Sequence, residues 1–410
     1  MTVGALLRRP GLGALLVAEI VSSLGSQMTF LALPWFVLAT TGSPTRMGAV
    51  LAVELAPVAV LGIPSGTVAA RLGARRTMLV CDLARAPLMA SVPILHAAGL
   101  LSFPLLLVLV GLTGCFIAPY FASQRVALPE LVGDDEQTVA QANAFVEGAS
   151  QLTRLLGPLT AGALIVAIGA PNVLYVDAAT FLASFVLLAA FVPRRPPLAR
   201  TDETGGLLGG LRYILRDGLL GPMMIMVVVG NMVYQALFAS LPVLAYQDFD
   251  RRSWIAGVFV GASGAGALAG SVVAMKVIGR FDPLKLSSVA IVVDTLPLFL
   301  LGLHLPWWGI VAVLFAGAVG QPIVNAPLIS IMTTRPPEAL RAKVMTAVLT
   351  FATLAGPIGL LGVGPLLQAF GAHAVFVGLA CGALGSALFF VAVVVRYRSA
   401  NPSADASVAT

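Results

Sequence analysis

The chain has 410 residues, of which 59% are hydrophobic and only 10% are charged. Soluble domains carry about 25% charged residues, so this composition excludes a water-soluble globular protein. The net charge of +6 does not indicate nucleic-acid binding, because the basic residues are concentrated in short connections between apolar runs. There they are typical of membrane topology signals.

Apolar runs long enough to cross a bilayer recur along nearly the whole chain. About 20 apolar residues cross the hydrocarbon core as a helix, so the sequence predicts an all-α polytopic membrane protein. The first run is long enough to span, and we expect it to be a retained helix and not a signal peptide. The twelve predicted spans are residues 11–39, 47–69, 77–97, 100–123, 141–169, 172–193, 219–246, 253–277, 286–304, 307–333, 343–369 and 373–395.

The basic residues are distributed unequally between the two sides of these spans. Of the 24 lysines and arginines, only Arg46, Arg251 and Arg252 fall in the connections on one side, and nearly all others fall on the opposite side. Positively charged connections stay in the cytoplasm, so the pattern predicts an even number of spans with both termini cytoplasmic. Arginine greatly outnumbers lysine, which is typical of a GC-rich bacterial genome, and we expect a place in the bacterial inner membrane.

The longest polar connection, "RRPPLARTDETGGLLGGLRYILRD" (194–217), divides the spans into six and six. Its prolines and glycines break helix, and a short amphipathic piece around residues 211–215 is expected on the cytoplasmic face. The predicted domains are an N-terminal six-helix bundle (1–193), a cytoplasmic linker (194–217), a C-terminal six-helix bundle (218–398) and a disordered cytoplasmic tail (399–410).

The two halves resemble each other in sequence. Each has a Pro-Glu connection ("LPELVGDD" at 128 and "RPPEALRA" at 335), then a Gly-Pro pair inside a span, then a Gly-Ala turn before the next span. Two six-helix repeats that face the same way are typical of transporters in which one half rocks against the other around a central cavity.

The stretch "GTVAARLGARR" (66–76) lies between the second and third spans, and it resembles the signature Gly-x-x-x-Asp-Arg-x-Gly-x-Arg-Arg of the major facilitator superfamily. Ala70 occupies the position of the signature's aspartate. In that family the aspartate holds the cytoplasmic side closed, so the resemblance implies that this contact is missing here. Asp82 and Arg85 lie nearby on one face of the third span. The matching signature residues are Gly66, Arg71, Gly73, Arg75 and Arg76.

Four further segments are similar to the branch of this superfamily that holds macrolide-efflux and enterobactin-exporter-like proteins: "LGSQMTFLALPWFVLATTGSP" (24–44), "CDLARAPL" (81–88), "LPELV" (128–132) and "QANAF" (141–145). "GPLTAG" (157–162) resembles the Gly-Pro-x-x-Gly-Gly element that the family's antiporters carry, with Gly157, Pro158 and Gly162 matching. The resemblance implies an exporter that acts as a monomer, and proline with small residues predicts a bend where helices approach closely.

Carboxylates within the spans are the sharpest chemical signal, because a charge at the bilayer centre costs at least about 2.5 kcal/mol and tends to be kept for function. Glu19 lies on a polar stripe of the first span and is the first candidate for proton coupling, followed by Glu54 and then Asp294. Each has a structural pairing role as its alternative. Asp177 is expected near water at the end of the sixth span, with a capping or gating role.

Uncharged polar residues recur at helical spacing and are the candidates for lining a substrate cavity. With apolar and aromatic neighbours, they suit a large, mostly apolar solute with a few polar groups. The glycines of "GVFVGASGAGALAG" (257–270) predict close packing against another helix of the same half, or a dimer face. The candidates for the cavity are Ser23, Gln27, Asn231, Tyr234, Gln235, Gln321 and Asn325.

The sequence offers no signal for a cofactor, a metal or an enzyme. It has no P-loop, so ATP is not expected to drive the protein directly. Its three cysteines lie inside apolar runs, where they are interpreted as packing residues. The three histidines are far apart in the chain and do not indicate a metal site.

These observations favour a secondary transporter that exports small amphipathic or hydrophobic molecules by proton antiport with alternating access, in contact with small-molecule substrate, protons and membrane lipid. Two alternatives stay open within transport: export of a siderophore-like metabolite, and uptake. From a different class, a non-transporting membrane sensor or scaffold is a third possibility, for which the missing loop aspartate is the only indication.

Overall fold

A computed structural model of the chain describes residues 10–132, 136–194 and 206–400. These residues form helices apart from short connections and one isolated bridge between Ile278 and Phe281, which confirms the predicted all-α class. The helices are α1 Pro10–Thr41, α2 Pro44–Leu72, α3 Ala74–Ala97, α4 Phe103–Cys115, α5 Ile117–Val132, α6 Glu136–Ile168, α7 Ala170–Phe191, α8 Gly206–Arg216, α9 Leu220–Asp248, α10 Ser253–Val277, α11 Pro283–Thr295, α12 Trp307–Thr334 and α13 Glu338–Ala400.

Within this described part, 11 helical stretches are long and apolar enough to cross a membrane. The last of them covers two predicted spans, because α13 is two helices joined at Gly371, where the backbone leaves the helical region (φ 76, ψ 169). Gly169 joins α6 to α7 with nearly the same geometry (φ 84, ψ 150). The repeated Gly-Ala turn is therefore a one-residue connection in both halves, at a positive φ that favours glycine.

Two connections that the sequence predicts are shorter in the structure. The signature stretch is helical as far as Leu72, and Gly73 alone (φ 82, ψ 143) separates α2 from α3. The Pro-Glu connection at 128–132 is the last part of α5. Proline disfavours the α conformation at the residue before it, so the helix continues through Leu128 against this local preference.

The predicted spans at 100–123 and 286–304 are each interrupted. The first breaks at Phe116 between α4 and α5. The second ends as an α-helix at Thr295 and continues as a 3₁₀ helix over Leu296–Gly302, with Pro297 near its start. Proline lacks the N–H that the α-helical ladder needs, which explains why the hydrogen bonding changes at this residue.

The chain divides into two compact units. One unit contains residues Met1–Thr201 together with Ala245–Gly261, and the other contains Asp202–Leu244 together with Ala262–Thr410. The predicted domain boundaries at 193, 217 and 398 stay predictions, and most of the linker and the tail lie outside the described residues.

Each unit has a buried apolar core. In the first unit, side chains of α1, α3, α5 and α7 pack together, among them Leu12, Met78, Tyr120 and Leu188. In the second unit the core includes Ile214 of α8, which is fully buried. The amphipathic piece of the linker is therefore a helix that docks onto its own unit through one apolar face.

Asp217 ties together three segments of the second unit. Its Oδ1 accepts the N–H groups of Leu219 and Leu220 at 2.9 and 3.0 Å, which caps α9, and its Oδ2 accepts Arg335 Nε at 2.9 Å. Arg335 also donates to the Tyr397 hydroxyl at 2.8 Å. Burial alone would raise the pKa of Asp217, but these hydrogen bonds and the nearby guanidinium outweigh it and lower the pKa.

Replacing Asp217 is expected to destabilise the second unit. Asp217→Ala removes the cap and the ion pair and should cost about 2 kcal/mol, whereas Asp217→Asn keeps a capping oxygen and should cost about 1 kcal/mol. The lowered pKa means that the stabilisation is present above the ordinary value of 3.8 and is lost as the pH falls through the folded value. In detergent, wild type should therefore unfold at a higher temperature than Asp217→Asn at neutral pH. In strong acid the two unfolding temperatures should be the same. A gap that persists in strong acid would contradict this assignment.

Candidate functional site

Arg85 lies at the centre of a polar cluster inside the first unit. It is on α3, its side chain is buried with 7% exposed, and its Nη2 donates to Ser26 Oγ of α1 at 3.2 Å. The guanidinium carbon stands 3.9 Å from the centre of the Phe181 ring of α7. Arg85 thus connects three helices through one hydrogen bond and one cation–π contact.

Four carboxyl groups surround this arginine. Each of them interacts electrostatically with Arg85, which is the single basic residue that does so within the described part of the chain. With one positive charge for four acids, full ionisation would leave a net charge of −3 in the membrane-spanning region. The four acids are Glu19 on α1, Glu54 on α2, Asp82 on α3 and Asp177 on α7.

The hydrogen bonds of these acids differ greatly. Asp177 is 1% exposed and accepts Thr29 Oγ1 at 2.6 Å and Thr180 Oγ1 at 3.3 Å. Asp82 is 0% exposed, and neither of its carboxyl oxygens has a hydrogen-bond partner among the described residues. One oxygen of Glu19 is likewise buried without a partner in this part of the structure. The expectation that Asp177 lies near water is wrong, because α1 covers it.

Gly25 explains how α1 comes so close to Asp177. A Cβ atom at this position would overlap Thr180 Oγ1 and would lie 2.5 Å from Asp177 Oδ1. Real Cβ atoms essentially never make contacts under 3.0 Å. The glycine therefore lets the α1 backbone pack directly on the face of α7 that carries the acid.

The structure brings together some of the predicted coupling residues and leaves one apart. Glu19 and Glu54 both belong to the Arg85 cluster, with Glu19 buried and Glu54 half-buried. Asp294 belongs to the second unit, where its Oδ1 accepts the N–H of Gly320 at 3.1 Å. Glu147 of α6 is exposed and accepts a hydrogen bond from Gln151 Nε2 at 2.9 Å.

The polar candidates of α1 face α6. Ser23 Oγ lies 2.9 Å from Thr153 Oγ1. The glycine of the first Gly-Pro pair packs on Gln27, since a Cβ on Gly157 would overlap the Gln27 Cβ. The Gly-Pro pair at which a bend is predicted thus lies at a close approach of α6 to α1.

The candidates of the second unit repeat part of this arrangement. Gln235 of α9 packs beside Gly356, the glycine of the second Gly-Pro pair, with its Cγ and Nε2 3.5 Å from where a Cβ would stand. Asn231 donates to the Val227 carbonyl one turn back at 2.9 Å, and the Tyr234 ring lies 4.5 Å from that of Phe238. On α12, Gln321 is half-buried and Asn325 is exposed.

The sequence contains a signal for this paired arrangement that inspection of single motifs missed. The pattern Gln-x-x-Phe-x-x-Leu-Pro occurs twice, at 27–34 in α1 and at 235–242 in α9. Each copy places its glutamine against the Gly-Pro pair of its own half. Aligning the two halves over the first and seventh spans shows that these two cavity candidates occupy matching positions.

The signature residues take different places. Arg75 donates to the carbonyl oxygens of Leu188 and Ala189 at 3.3 and 2.8 Å, and so it binds the end of α7, where the helix carries partial negative charge. Arg71 and Arg76 are exposed, and Gly66 has open space around it. The side chain of Ala70 lies outside the described part.

The glycines of α10 divide between two partners. Gly257 packs against Gly162 and the Pro158 carbonyl oxygen of α6, and Ser253 Oγ donates to the Gly162 carbonyl at 3.3 Å. Further along, Gly266 and Gly270 pack on the backbone of α12. The expected contact with a helix of the same half is therefore found for the second pair, whereas the first contacts a helix of the other half.

The histidines, which are far apart in the chain, do not all remain separate. The rings of His304 and His373 stack with their centres 4.0 Å apart. His96 makes an edge contact with Phe36 at 4.9 Å. The sequence carries no signal for either contact, because neither residue pair is close in the chain.

Comparison with known proteins gives results that agree over most of the chain. The Multidrug efflux pump Tap of Mycolicibacterium fortuitum is 28% identical over 384 residues, which cover 91% of this chain and 93% of the relative. Tap of Mycobacterium bovis is 25% identical over 387 residues, covering 89% of each. The crystal structure of nucleoside transporter NupG superposes with a TM-score of 0.72 at 14% identity, covering 93% of this chain and 98% of that one.

The likeness to NupG shows a shared fold only, while the Tap relatives are similar in sequence over 91% and 89% of this chain. The sequence profile described as Major Facilitator Superfamily matches residues 15–360. This family consists of membrane transporters and not of enzymes, in agreement with the prediction. The chain is therefore a multi-pass membrane protein and belongs to the major facilitator superfamily.

Proposed function

We propose that the chain exports small amphipathic or hydrophobic organic molecules across the bacterial inner membrane by proton antiport with alternating access. Both termini lie in the cytoplasm in this proposal, and the monomer is the working unit. The observation that carries it is a buried cluster of four carboxyl groups around one arginine, in a chain that is similar over 91% of its length to a protein named multidrug efflux pump Tap.

The cluster supports proton coupling because buried carboxyl groups in excess of their countercharge are stable only if some of them carry protons. Glu19 and Glu54 are the proposed coupling residues in the first unit, and Asp294 is the proposed one in the second. A non-transporting scaffold gains nothing from such a cluster, since well-packed apolar residues would be at least as stable.

The polar residues near the two Gly-Pro pairs support an organic substrate. Gln27 and Gln235 lie at helix crossings, and Tyr234, which stacks on Phe238, offers an aromatic surface. Hydrogen-bonding groups scattered among aromatic and aliphatic side chains suit solutes that are mostly apolar. The remaining proposed substrate residues are Ser23, Asn231, Gln321 and Asn325.

Transport by purified protein tests this proposal. Liposomes with an acidic interior that contain the full chain should accumulate a lipophilic fluorescent cation several times faster than protein-free liposomes. Collapsing the pH gradient should abolish the difference, because outward proton flow drives the exchange. Glu19→Gln should lose the gradient dependence.

Glu147→Gln is the matched control, because Glu147 is an exposed glutamate outside the cluster. It should behave as wild type. Transport that ignores the gradient would contradict proton antiport. Failure to move any compound of a broad panel of cations, antibiotics and siderophore-like molecules would favour the non-transporting alternative.

A further inference from the structure

Asp82 is the most isolated charge-bearing group in the described part of the first unit. Its side chain is 0% exposed and both carboxyl oxygens are without a hydrogen-bond partner. The Ser184 hydroxyl lies near it but is within 3.4 Å of the Tyr120 hydroxyl. An ionised carboxylate in such a place would be a bare charge in the low-dielectric interior, which is strongly unfavourable. This environment favours the neutral, protonated form of Asp82 over the carboxylate.

Arg85 lies three residues after Asp82, on the same face of α3, and yet it does not pair with it. Its guanidinium reaches sideways to Ser26 and the Phe181 ring, and its Nε is buried without a partner. The spacing on the helix leaves the guanidinium within a side-chain rotation of the Asp82 carboxyl group. The Arg85 guanidinium can thus take either of two positions, one against Ser26 and Phe181 and the other at Asp82.

The remaining groups around Asp82 are mostly acidic or neutral. Gln124 of α5, 7% exposed, lies beside Glu19, and its Nε2 is buried without a partner. The titratable groups that face Asp82 or the rest of the cluster are Glu19 on α1, Glu54 on α2, Cys81 and Arg85 on α3, Tyr120 on α5 and Asp177 on α7.

We propose that Asp82 is a proton-binding site and that Arg85 changes position with its charge. When Asp82 holds the proton, Arg85 bonds Ser26 and covers Phe181. When the O–H bond of Asp82 breaks, the proton leaves to water and the carboxylate accepts N–H groups of Arg85. The coupling of this switch to export rests on the proposed function, but proton binding itself does not.

A proton fits this site better than a metal ion does. The guanidinium already places a positive charge among the acids, and a second cation beside it would be repelled. A metal ion would also need several oxygen ligands at once. A proton needs only one carboxyl oxygen, and moving Arg85 onto Asp82 replaces it with a charge of the same sign.

The switch would act on helix packing. Arg85 holds α3 to α1 through Ser26 and to α7 through Phe181. Moving the guanidinium to Asp82, on its own helix, removes both contacts in one step. Deprotonation would therefore loosen α3 from α1 and α7, which gives a proton a mechanical effect inside this unit.

Infrared difference spectroscopy of the purified full chain tests the proposal without any substrate. Raising the pH from acidic to alkaline should remove the C=O stretch of protonated carboxyl groups, and Asp82→Asn should remove one component of that signal. Asp250→Asn, with a side chain 84% exposed, is the matched control and should leave the signal intact. In liposomes, Asp82→Asn should slow gradient-driven transport by about tenfold or more.

Each result of the infrared experiment either supports the proton site at Asp82 or overturns it. An unchanged carboxyl signal in Asp82→Asn would overturn the assignment, and so would a signal that sodium ions remove at constant pH. If wild type moves no compound and the signal still depends on Asp82, the proton site stands and the export proposal fails. If Asp82→Asn does not fold, Asp82→Glu keeps a protonatable group, and it should shift the midpoint of the signal. A midpoint unchanged in Asp82→Glu would overturn the proposal.

Discussion

Arg85→Gln is expected to cause the largest loss of stability of any single replacement in the first unit. Removing one partner of a buried charge arrangement costs about 3–5 kcal/mol, because the opposite charge is left uncompensated. Here four carboxyl groups share this one arginine. Glutamine can still bond Ser26, so the loss reports the missing charge. Thermal unfolding in detergent, together with the yield of folded protein, measures it.

The loss should grow as the pH rises, because neutral carboxyl groups need no countercharge. Arg154→Gln is the matched control, since Arg154 is an exposed arginine on α6. Adding Asp177→Asn to Arg85→Gln removes one of the surplus acids, and it should recover part of the stability. Equal unfolding temperatures for wild type and Arg85→Gln at alkaline pH would contradict the central role of this arginine.

Gly25→Ala is expected to disturb the cluster from the opposite side, by adding a single methyl group. The new Cβ would overlap Thr180 Oγ1 and press on Asp177, so α1 and α7 must separate. Overpacking of this kind costs about 1–3 kcal/mol. Separation would also lengthen the bond from Thr29 to Asp177, which is 2.6 Å in the structure. The transport rate and the unfolding temperature should therefore both fall in Gly25→Ala, and both should fall further in Gly25→Val.

Gly148→Ala is the control for a helical glycine, because a Cβ there meets nothing within 4 Å. Alanine is the better helix former, so this variant should be as stable as wild type or slightly more so. Gly66→Ala should be equally harmless to folding, because Gly66 also has open space around it. This is expected even though Gly66 belongs to the signature stretch and Gly148 does not. Full activity and stability in Gly25→Ala would show that the approach of α1 to α7 is looser than described.

Much of the fold could be predicted, because the bilayer imposes a length on every span. The positions of α1, α3, α7 and α9 follow from apolar runs bounded by polar residues. The ends of the helices were harder to predict wherever a helix continues through polar residues into the aqueous layer. Residues 66–72 are mostly small and include one arginine, which indicates a connection, yet their backbone stays helical because only Gly73 takes a conformation that ends the helix.

The members of the cluster could be found individually, since an acid inside an apolar run is conspicuous. The place in the fold where these side chains meet could not be predicted. It depends on which faces of α1, α2, α3 and α7 are turned towards each other, and a sequence pattern gives the face of one helix only. Asp177 shows the difficulty, because its position near the end of a span indicated water, whereas the missing side chain of Gly25 lets α1 cover it.

The repeated glutamine contact has an evolutionary consequence. The same eight-residue pattern lies in α1 and α9, and each copy meets the Gly-Pro pair of its own half. Both the pattern and the partner would have to arise twice if the halves had diverged before acquiring them. A single origin is simpler: the contact was already present in a six-helix ancestor, encoded by a gene that later duplicated and fused. Glu19 has no such counterpart, because Val227 occupies the matching position of α9, so this acid was acquired or kept by one descendant half alone.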